Sequence, residues 1–116
     1  MALLPLVGAA MGCAGASQAG PGGPGLTVAG TDAMRFTPST MQVKASEATT
    51  IIFKNAGLIA HDFITEGADQ NVRLVNVGPG RQQTAIFEAN KPGEYRVVCI
   101  QPGHKEAGMV ATIVVN

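Results

Sequence analysis

The sequence predicts an all-β domain built as an antiparallel sandwich. From residue 26 onward, short runs alternate apolar and polar side chains, and Gly, Pro, Asn and Ser separate these runs. No stretch keeps the 3.6-residue spacing of an amphipathic helix. A chain of 116 residues has room for one hydrophobic core, so we predict a single domain at residues 26–116.

The first segment, residues 1–12, is predicted to be a signal peptide. Its apolar run, residues 2–12, is too short to cross a bilayer as a helix. No Lys or Arg precedes the run, which departs from the usual signal-peptide pattern.

The next segment, residues 13–25, is predicted to be a flexible linker because it ends in a run of Gly and Pro. The Gly12–Cys13 pair resembles the bacterial lipobox, in which a small residue precedes a lipidated Cys. Lipidation of Cys13 would also remove an odd thiol from an oxidising compartment, if Cys99, the other cysteine of the sequence, cannot form a disulfide. The alternatives are cleavage after Cys13 or a tail that carries an idle thiol.

The first half of the domain contains three predicted strand regions. Pro38 interrupts the second region, because proline cannot donate to a ladder. The third region, residues 49–54, is rich in β-branched side chains and ends at Asn55. The inward-facing residues are predicted to be Leu26, Val28, Met34, Phe36, Met41, Val43, Ile51 and Phe53.

The second half begins with a strand in which His61 and Phe63 alternate with Asp62 and Ile64. The His61 imidazole should therefore point to the same side as the Phe63 ring. Residues 66–80 could form a strand or a packed loop, and the pattern does not decide between them. The inward-facing residues that follow are predicted to be Ala85, Phe87, Ala89, Tyr95, Val97, Cys99, Met109, Ala111, Ile113 and Val115.

Three side chains that bind soft metals lie close together near the C-terminus. Four residues separate Cys99 from His104, and four more separate His104 from Met109. The Pro102–Gly103 pair lets the backbone turn between them. A second imidazole, His61, lies far upstream, so the fold must bring it to this loop. Two His, one Cys and a weakly bound Met are the donor set of blue-copper electron-transfer sites.

These residues and the motifs around them resemble the type 1 copper proteins of the cupredoxin family, the group of plastocyanin, azurin and auracyanin. The likeness extends from about residue 26 to the C-terminus. The spacing between Cys99 and His104 is closer to that of auracyanin than to that of plastocyanin. The motifs are Met34-Arg-Phe36-Thr-Pro38, Asn55-x-Gly57-x-x-x-His61-x-Phe63 and Gly93-Glu-Tyr95-x-Val97-x-Cys99-x-x-Pro102-Gly103-His104-x-x-x-Gly108-Met109.

The resemblance implies a Greek-key sandwich or barrel of about eight strands, the cupredoxin fold. It implies one copper ion per chain, cycling between Cu(I) and Cu(II). The implied metal ligands are His61, Cys99, His104 and the axial Met109, and the backbone carbonyl of Ala60 is a possible further, distant contact.

The resemblance also implies that His104 is the ligand at the solvent edge, with its ring exposed in an apolar patch formed by Leu58, Ile59 and Pro102. This patch would be where electrons enter and leave. Many relatives carry Asn after the first His ligand, whereas this chain carries Asp62. We expect Asp62 to accept hydrogen bonds from backbone N–H groups of the ligand loop and to favour Cu(II) through its negative charge.

Other chemistries fit the residues less well. A catalytic zinc would use a carboxylate or a further His or Cys rather than Met109. A cysteine hydrolase needs an oriented base beside Cys99, and His104 fits a ligand better. Multicopper oxidases and copper nitrite reductases need more than the 2 His of this chain, and a two-copper oxidase centre needs two loop Cys. A metal-free sandwich with an adhesion function would require that the four metal-binding side chains occur in this pattern by coincidence. We therefore predict that the protein is not an enzyme.

The predicted function is one-electron transfer between redox proteins outside the cytoplasmic membrane, and the alternative is a carrier that stores or delivers copper. The 8 basic and 8 acidic residues balance, which argues against nucleic acid as a partner and leaves apolar contact and shape to guide docking. We expect a monomer that is periplasmic or lies on the extracytoplasmic face of the membrane, to which only a lipid anchor would bind it.

Overall fold

The computed structural model describes residues 24–69 and 71–116, which form nine strands. The predicted signal peptide, Cys13 and the linker up to residue 23 lie outside the described residues. Among the residues described, no helix is long and apolar enough to span a bilayer. The strands are β1 (Gly25–Thr31), β2 (Arg35–Thr37), β3 (Thr40–Val43), β4 (Thr49–Asn55), β5 (His61–Thr65), β6 (Arg73–Val77), β7 (Gln82–Phe87), β8 (Gly93–Val98) and β9 (Val110–Val115).

The strands form two sheets, in the orders β2-β1-β4-β7 and β3-β9-β8-β5-β6, which confirms the all-β sandwich. As predicted, Pro38 ends one strand, and β2 and β3 on either side of it belong to different sheets. The expectation of a purely antiparallel sandwich is wrong for two pairs, because β1 pairs with β4 in parallel and β3 pairs with β9 in parallel. Side-chain alternation predicts which face of a strand is inward, but it carries no information on strand direction.

The core between the sheets contains most of the residues predicted to face inward, although Leu26, Met34, Ala85 and Tyr95 are only partly buried. Phe36, Phe53 and Phe63 form an aromatic cluster with ring centroids 5.5 to 5.9 Å apart. Each such aromatic pair contributes about 0.5–1.5 kcal/mol beyond the area it buries.

The aromatic cluster meets Met109, a predicted metal ligand, at Gly30 of β1. A Cβ atom on Gly30 would lie 2.9 Å from the Phe53 ring and 3.2 Å from the methyl group of Met109. Both side chains therefore pack directly against the β1 backbone, and a larger residue at this position would displace at least one of them.

Strand β5 is buried on both faces, which the alternation of its residues did not predict. Ile64 is 8% exposed. Asp62 is 1% exposed, and its carboxylate accepts hydrogen bonds from Asn76 of β6 and from Ile100 and Gln101, which follow β8. Residues 73–77, left open between strand and loop, form β6 and pair with β5 across an irregular register between His61 and Phe63.

The strand directions bring three chain segments to one end of the sandwich. Ile64 of β5 pairs with Val98 of β8, and Val98 pairs in turn with Val110 of β9, both antiparallel. The start of β5, the end of β8 and the start of β9 therefore meet at the same end of the sandwich. The predicted metal ligands lie at this end.

Candidate metal centre

His61, Cys99 and His104 form a cluster whose ligand atoms all lie within 4.8 Å of one another. We call it the His–Cys–His cluster. The Cys99 Sγ lies 3.3 Å from Nδ1 of His104, and the two imidazole centroids are 5.0 Å apart. His61 and Cys99 are fully buried, and His104 is 8% exposed. The fold thus brings together the three strong donors that the sequence singled out.

The His61 ring presents one free nitrogen to this cluster. Its Nε2 lies 3.0 Å from Oδ1 of Asp32. The pKa of Asp32 is held below its ordinary value, chiefly by the Leu58 backbone N–H and then by His61, so the group is a carboxylate that can only accept. Nε2 therefore carries the proton. Nδ1 is buried without a hydrogen-bond partner in the described structure, which leaves its lone pair available to a metal ion.

The Cys99 thiol is held in a dry environment. Burial raises its pKa, and the Asp62 backbone N–H, 3.3 Å from Sγ, acts in the opposite direction. Since a thiolate is the form that binds metal, a metal ion at this site must displace the thiol proton.

The ligand loop, residues 99–109, is folded on itself by backbone hydrogen bonds. The His104 N–H donates to the Gln101 carbonyl over 3.0 Å, and the Met109 N–H donates to the His104 carbonyl, also over 3.0 Å. The Cys99 N–H donates to the Met109 carbonyl over 3.3 Å. Met109 is fully buried beside the cluster, and its role as axial ligand stays a prediction. The possible contact from the Ala60 carbonyl also stays a prediction.

Asp62 braces this loop from β5, as the sequence predicted. Its Oδ2 accepts the Ile100 backbone N–H over 3.2 Å. Two partners were not predicted: Oδ1 accepts the Asn76 backbone N–H over 2.7 Å and the Gln101 side-chain amide over 3.0 Å. Asn76 has a φ of 55°, a left-handed conformation that Asn tolerates better than most residues. The three donors hold a buried carboxylate beside Cys99.

Asn55 braces the loop that leads into His61. Its amide nitrogen donates to the carbonyls of Ile59, over 2.7 Å, and Val77, over 2.8 Å. Its amide oxygen accepts the Gly57 N–H over 2.8 Å. The Asn and Gly of the upstream motif therefore shape the approach to the first histidine.

The surface around the cluster is apolar but covers His104 more than expected. Leu58 is 83% exposed and Ile59 is 42% exposed, and Pro102 is also exposed. Ile100, which was not predicted to belong to the apolar patch, is 50% exposed at the same end of the domain. His104 reaches solvent with only 8% of its surface, so the expectation of an exposed ring is wrong.

A β-sandwich that holds two histidines and a cysteine at one end, with a buried methionine beside them, defines a copper-binding domain of the cupredoxin type. The model of the family described as copper binding proteins, plastocyanin/azurin family, matches residues 25–116. The chain belongs to this family.

Curated relatives at least 30% identical to the chain include a copper-resistance protein and an oxidase subunit. The copper-resistant cuproprotein CopI of Rubrivivax gelatinosus is 30% identical over 102 residues, with 73% of this chain and 62% of the relative covered. Cytochrome c oxidase subunit 2 of Thermus thermophilus is 33% identical over 88 residues, with 72% of this chain and 60% of the relative covered. The chain thus spans about three fifths of the length of these relatives.

Solved structures with the same fold include auracyanins. The dithionite-reduced auracyanin of Roseiflexus castenholzii has a TM-score of 0.71 at 17% identity, covering 87% of this chain and 99% of the other. Auracyanin A of Chloroflexus aurantiacus has a TM-score of 0.63 at 18% identity, covering 79% of this chain and 98% of the other. These likenesses show the cupredoxin fold.

The residues present fit one copper ion. The free Nδ1 of His61 and the buried Cys99 sulfur are donors that copper accepts, and the family to which the chain belongs binds copper. Copper is therefore the cofactor of this domain.

Proposed function

We propose that this protein is a one-electron carrier that uses His61, Cys99, His104 and Met109 as the ligands of a type 1 copper site. The observation that carries the proposal is the burial of the His–Cys–His cluster within segments held by strands and hydrogen-bonded turns. Copper supplies a Cu(II)/Cu(I) couple when it is bound. Ligands that keep one geometry in both oxidation states reduce the reorganisation that each electron transfer requires.

The protein groups around the cluster have distinct parts in this function. The strand β5 fixes His61, and Asp62 fixes the chain after Cys99. The N–H of Asp62 donates to the Cys99 sulfur, and hydrogen bonding at this sulfur tunes the reduction potential. His104 is the member of the cluster that reaches the surface, so it gives electrons the shortest route through the protein.

We propose that redox proteins dock on Leu58, Ile59 and Pro102, which we call the docking face. The exposure of the two aliphatic side chains supports this, because a partner would bury them and bring its own centre close to His104. A Leu58→Ser variant should exchange electrons with a partner at least several-fold more slowly, with an unchanged reduction potential. Ile86→Ser is the matched control, since Ile86 is 38% exposed on β7 where this strand pairs with Thr50, away from the metal end. Equal rates for both variants would contradict the docking face.

Copper storage or delivery is the second candidate function, and the similarity to the copper-resistant cuproprotein CopI favours it. A delivery site must release its metal, which usually requires exposed ligands. The full burial of His61 and Cys99 supports electron transfer instead.

Copper retention separates the two functions. An electron carrier should keep its copper through many cycles of oxidation and reduction in the presence of a moderate-affinity Cu(I) chelator. Transfer of most of the copper to this chelator within minutes would favour delivery.

We propose no catalytic activity for this domain. The Thermus relative is an oxidase subunit, but the ligand loop here contains Cys99 as its one cysteine, whereas a two-copper centre needs two.

We also propose that the protein is exported and attached through a lipid to the extracytoplasmic face of the membrane. The apolar residues 2–12 followed by Cys13 support this proposal.

A further inference from the structure

Asp32 lies beside the metal centre, although 29 positions separate it from His61. It occupies the turn between β1 and β2, where the Met34 N–H donates to the Thr31 carbonyl over 3.0 Å. The Ala56 N–H donates to the Gly30 carbonyl over 2.9 Å and continues the β1–β4 pairing one residue beyond the end of β4. This pairing sets the turn against the loop that leads into His61.

Both oxygens of the Asp32 carboxylate face donors. Oδ1 lies 3.0 Å from Nε2 of His61, and Oδ2 accepts the Leu58 backbone N–H over 2.6 Å. The side chain of Asp32 is 37% exposed, so this carboxylate joins a fully buried imidazole to the surface.

Gly57 makes room for this contact. A Cβ atom on Gly57 would overlap the Asp32 carboxylate. The backbone of Gly57 is not among the left-handed residues of the described chain, so alanine is excluded there by the carboxylate rather than by backbone strain. Glycine is therefore required at position 57 because the Asp32 carboxylate occupies the space that a larger side chain would need.

We propose that Asp32 is a positioning residue for the copper site, which acts by holding His61 in the tautomer that presents Nδ1 to the metal. A carboxylate accepts only, so it keeps the proton on Nε2 and increases the donor strength of the opposite nitrogen. A stronger nitrogen donor stabilises Cu(II) more than Cu(I), so Asp32 lowers the reduction potential. This inference rests on copper binding at the proposed ligands, but it does not require that the protein carries electrons.

Asparagine cannot replace Asp32 in this position. An amide has one accepting oxygen and one donating nitrogen, whereas the site presents two donors. If the oxygen faces His61, the NH₂ group opposes the Leu58 N–H. If the amide turns over, the NH₂ group opposes Nε2 and favours the tautomer with the proton on Nδ1, where copper must bind.

Two variants and a control test the proposal. Asp32→Asn removes the carboxylate and its charge. Gly57→Ala keeps the charge and forces the carboxylate away from His61. Glu94→Gln removes an exposed negative charge near the start of β8, far along the strand from Cys99.

The first measurement is ¹⁵N NMR of the histidine rings of the metal-free protein in mildly alkaline buffer. Wild type and Glu94→Gln should show His61 as one tautomer, protonated at Nε2, and both site variants should show a mixture. The second measurement is Cu(II) affinity, which should fall about 10- to 100-fold in both site variants. The third is the reduction potential, which should rise by about 59 mV for each tenfold loss of Cu(II) affinity that Cu(I) does not share.

The outcomes are distinct. A single Nε2–H tautomer in both site variants, with potentials equal to that of the control, would overturn the proposal and leave Asp32 as a brace for the Leu58 loop. The second contrary result is a higher reduction potential in Asp32→Asn alone, with the His61 tautomer unchanged in Gly57→Ala. Asp32 would then act only through its charge, and the positioning proposal would be overturned. If Asp32→Asn does not fold, the tautomer, Cu(II) affinity and reduction potential of Gly57→Ala test the proposal. A failed electron-transfer assay contradicts the proposed function and leaves the tautomer and affinity results intact.

Discussion

Replacing Asp62 with Asn should destabilise the domain far more than the loss of one surface charge. The carboxylate is 1% exposed and accepts three hydrogen bonds, two at Oδ1 and one at Oδ2. In Asp62→Asn, the amide oxygen can keep the donors from Asn76 and Gln101, but the NH₂ group then faces the Ile100 N–H. The partly buried Ile100 N–H loses its acceptor, which costs about 1–3 kcal/mol, and the bonds that remain lose the assistance of the charge.

A loss of about 2 kcal/mol corresponds to a fall in Tm of about 8–16 °C for a domain of this size. Thermal unfolding of the metal-free protein measures it. Asp69→Asn is the control, because Asp69 is an exposed carboxylate that accepts the Asn90 backbone N–H, where water can replace the lost acceptor. In the copper-loaded protein, the same Asp62→Asn change should raise the reduction potential, since it removes a negative charge that favours Cu(II). A fall in Tm no larger than that of Asp69→Asn would refute the bracing role.

Three further changes test other parts of the site. Met109→Leu should raise the reduction potential and Met109→Gln should lower it, because a thioether stabilises Cu(II) weakly and an amide oxygen stabilises it more strongly. Met109→Leu should lose less than about 1.5 kcal/mol of stability, because the swap nearly conserves side-chain volume. Voltammetry that shows no shift in either variant would make Met109 a core residue. Burial raises the pKa of Cys99 above the ordinary thiol value of 9.0, so the stability that the neutral thiol contributes is complete below this pH and is lost as the pH rises through the folded pKa. The free energy of unfolding of the metal-free protein should therefore fall in alkaline solution relative to Cys99→Ala, and parallel pH profiles would contradict this. Cys13→Ala should release the protein from bacterial membranes, whereas equal soluble fractions of wild type and variant would contradict the lipid anchor.

The sequence was most informative where a strand has one buried face. In β9, residues Ala111, Ile113 and Val115 are buried as the alternation predicted, because polar or half-exposed residues lie between them. The alternation failed in β5, where both faces are covered and Asp62 is as buried as its neighbours. A buried carboxylate looks polar in the sequence, and only its three donors explain its position.

The candidate ligands could be identified in the sequence, whereas most of the residues that support them could not. Cys99, His104 and Met109 share one short loop, so their spacing is visible in the chain. Asp32 has no local signal, since its contact with His61 depends on the parallel pairing of β1 with β4. The need for Gly57 follows from that contact and is likewise visible only in the fold.

The most direct test of a type 1 copper site is the visible absorption spectrum of the copper-loaded protein, recorded for wild type and Cys99→Ser. The wild type should show an intense thiolate-to-Cu(II) band toward the red end of the spectrum, together with a reversible one-electron wave in voltammetry. Cys99→Ser should lose the band and the wave and remain folded, because the apolar faces of the sandwich pack without the metal. A Cys99→Ser protein that keeps the intense band, or a wild type that never develops it, would contradict the assignment of copper to this cluster.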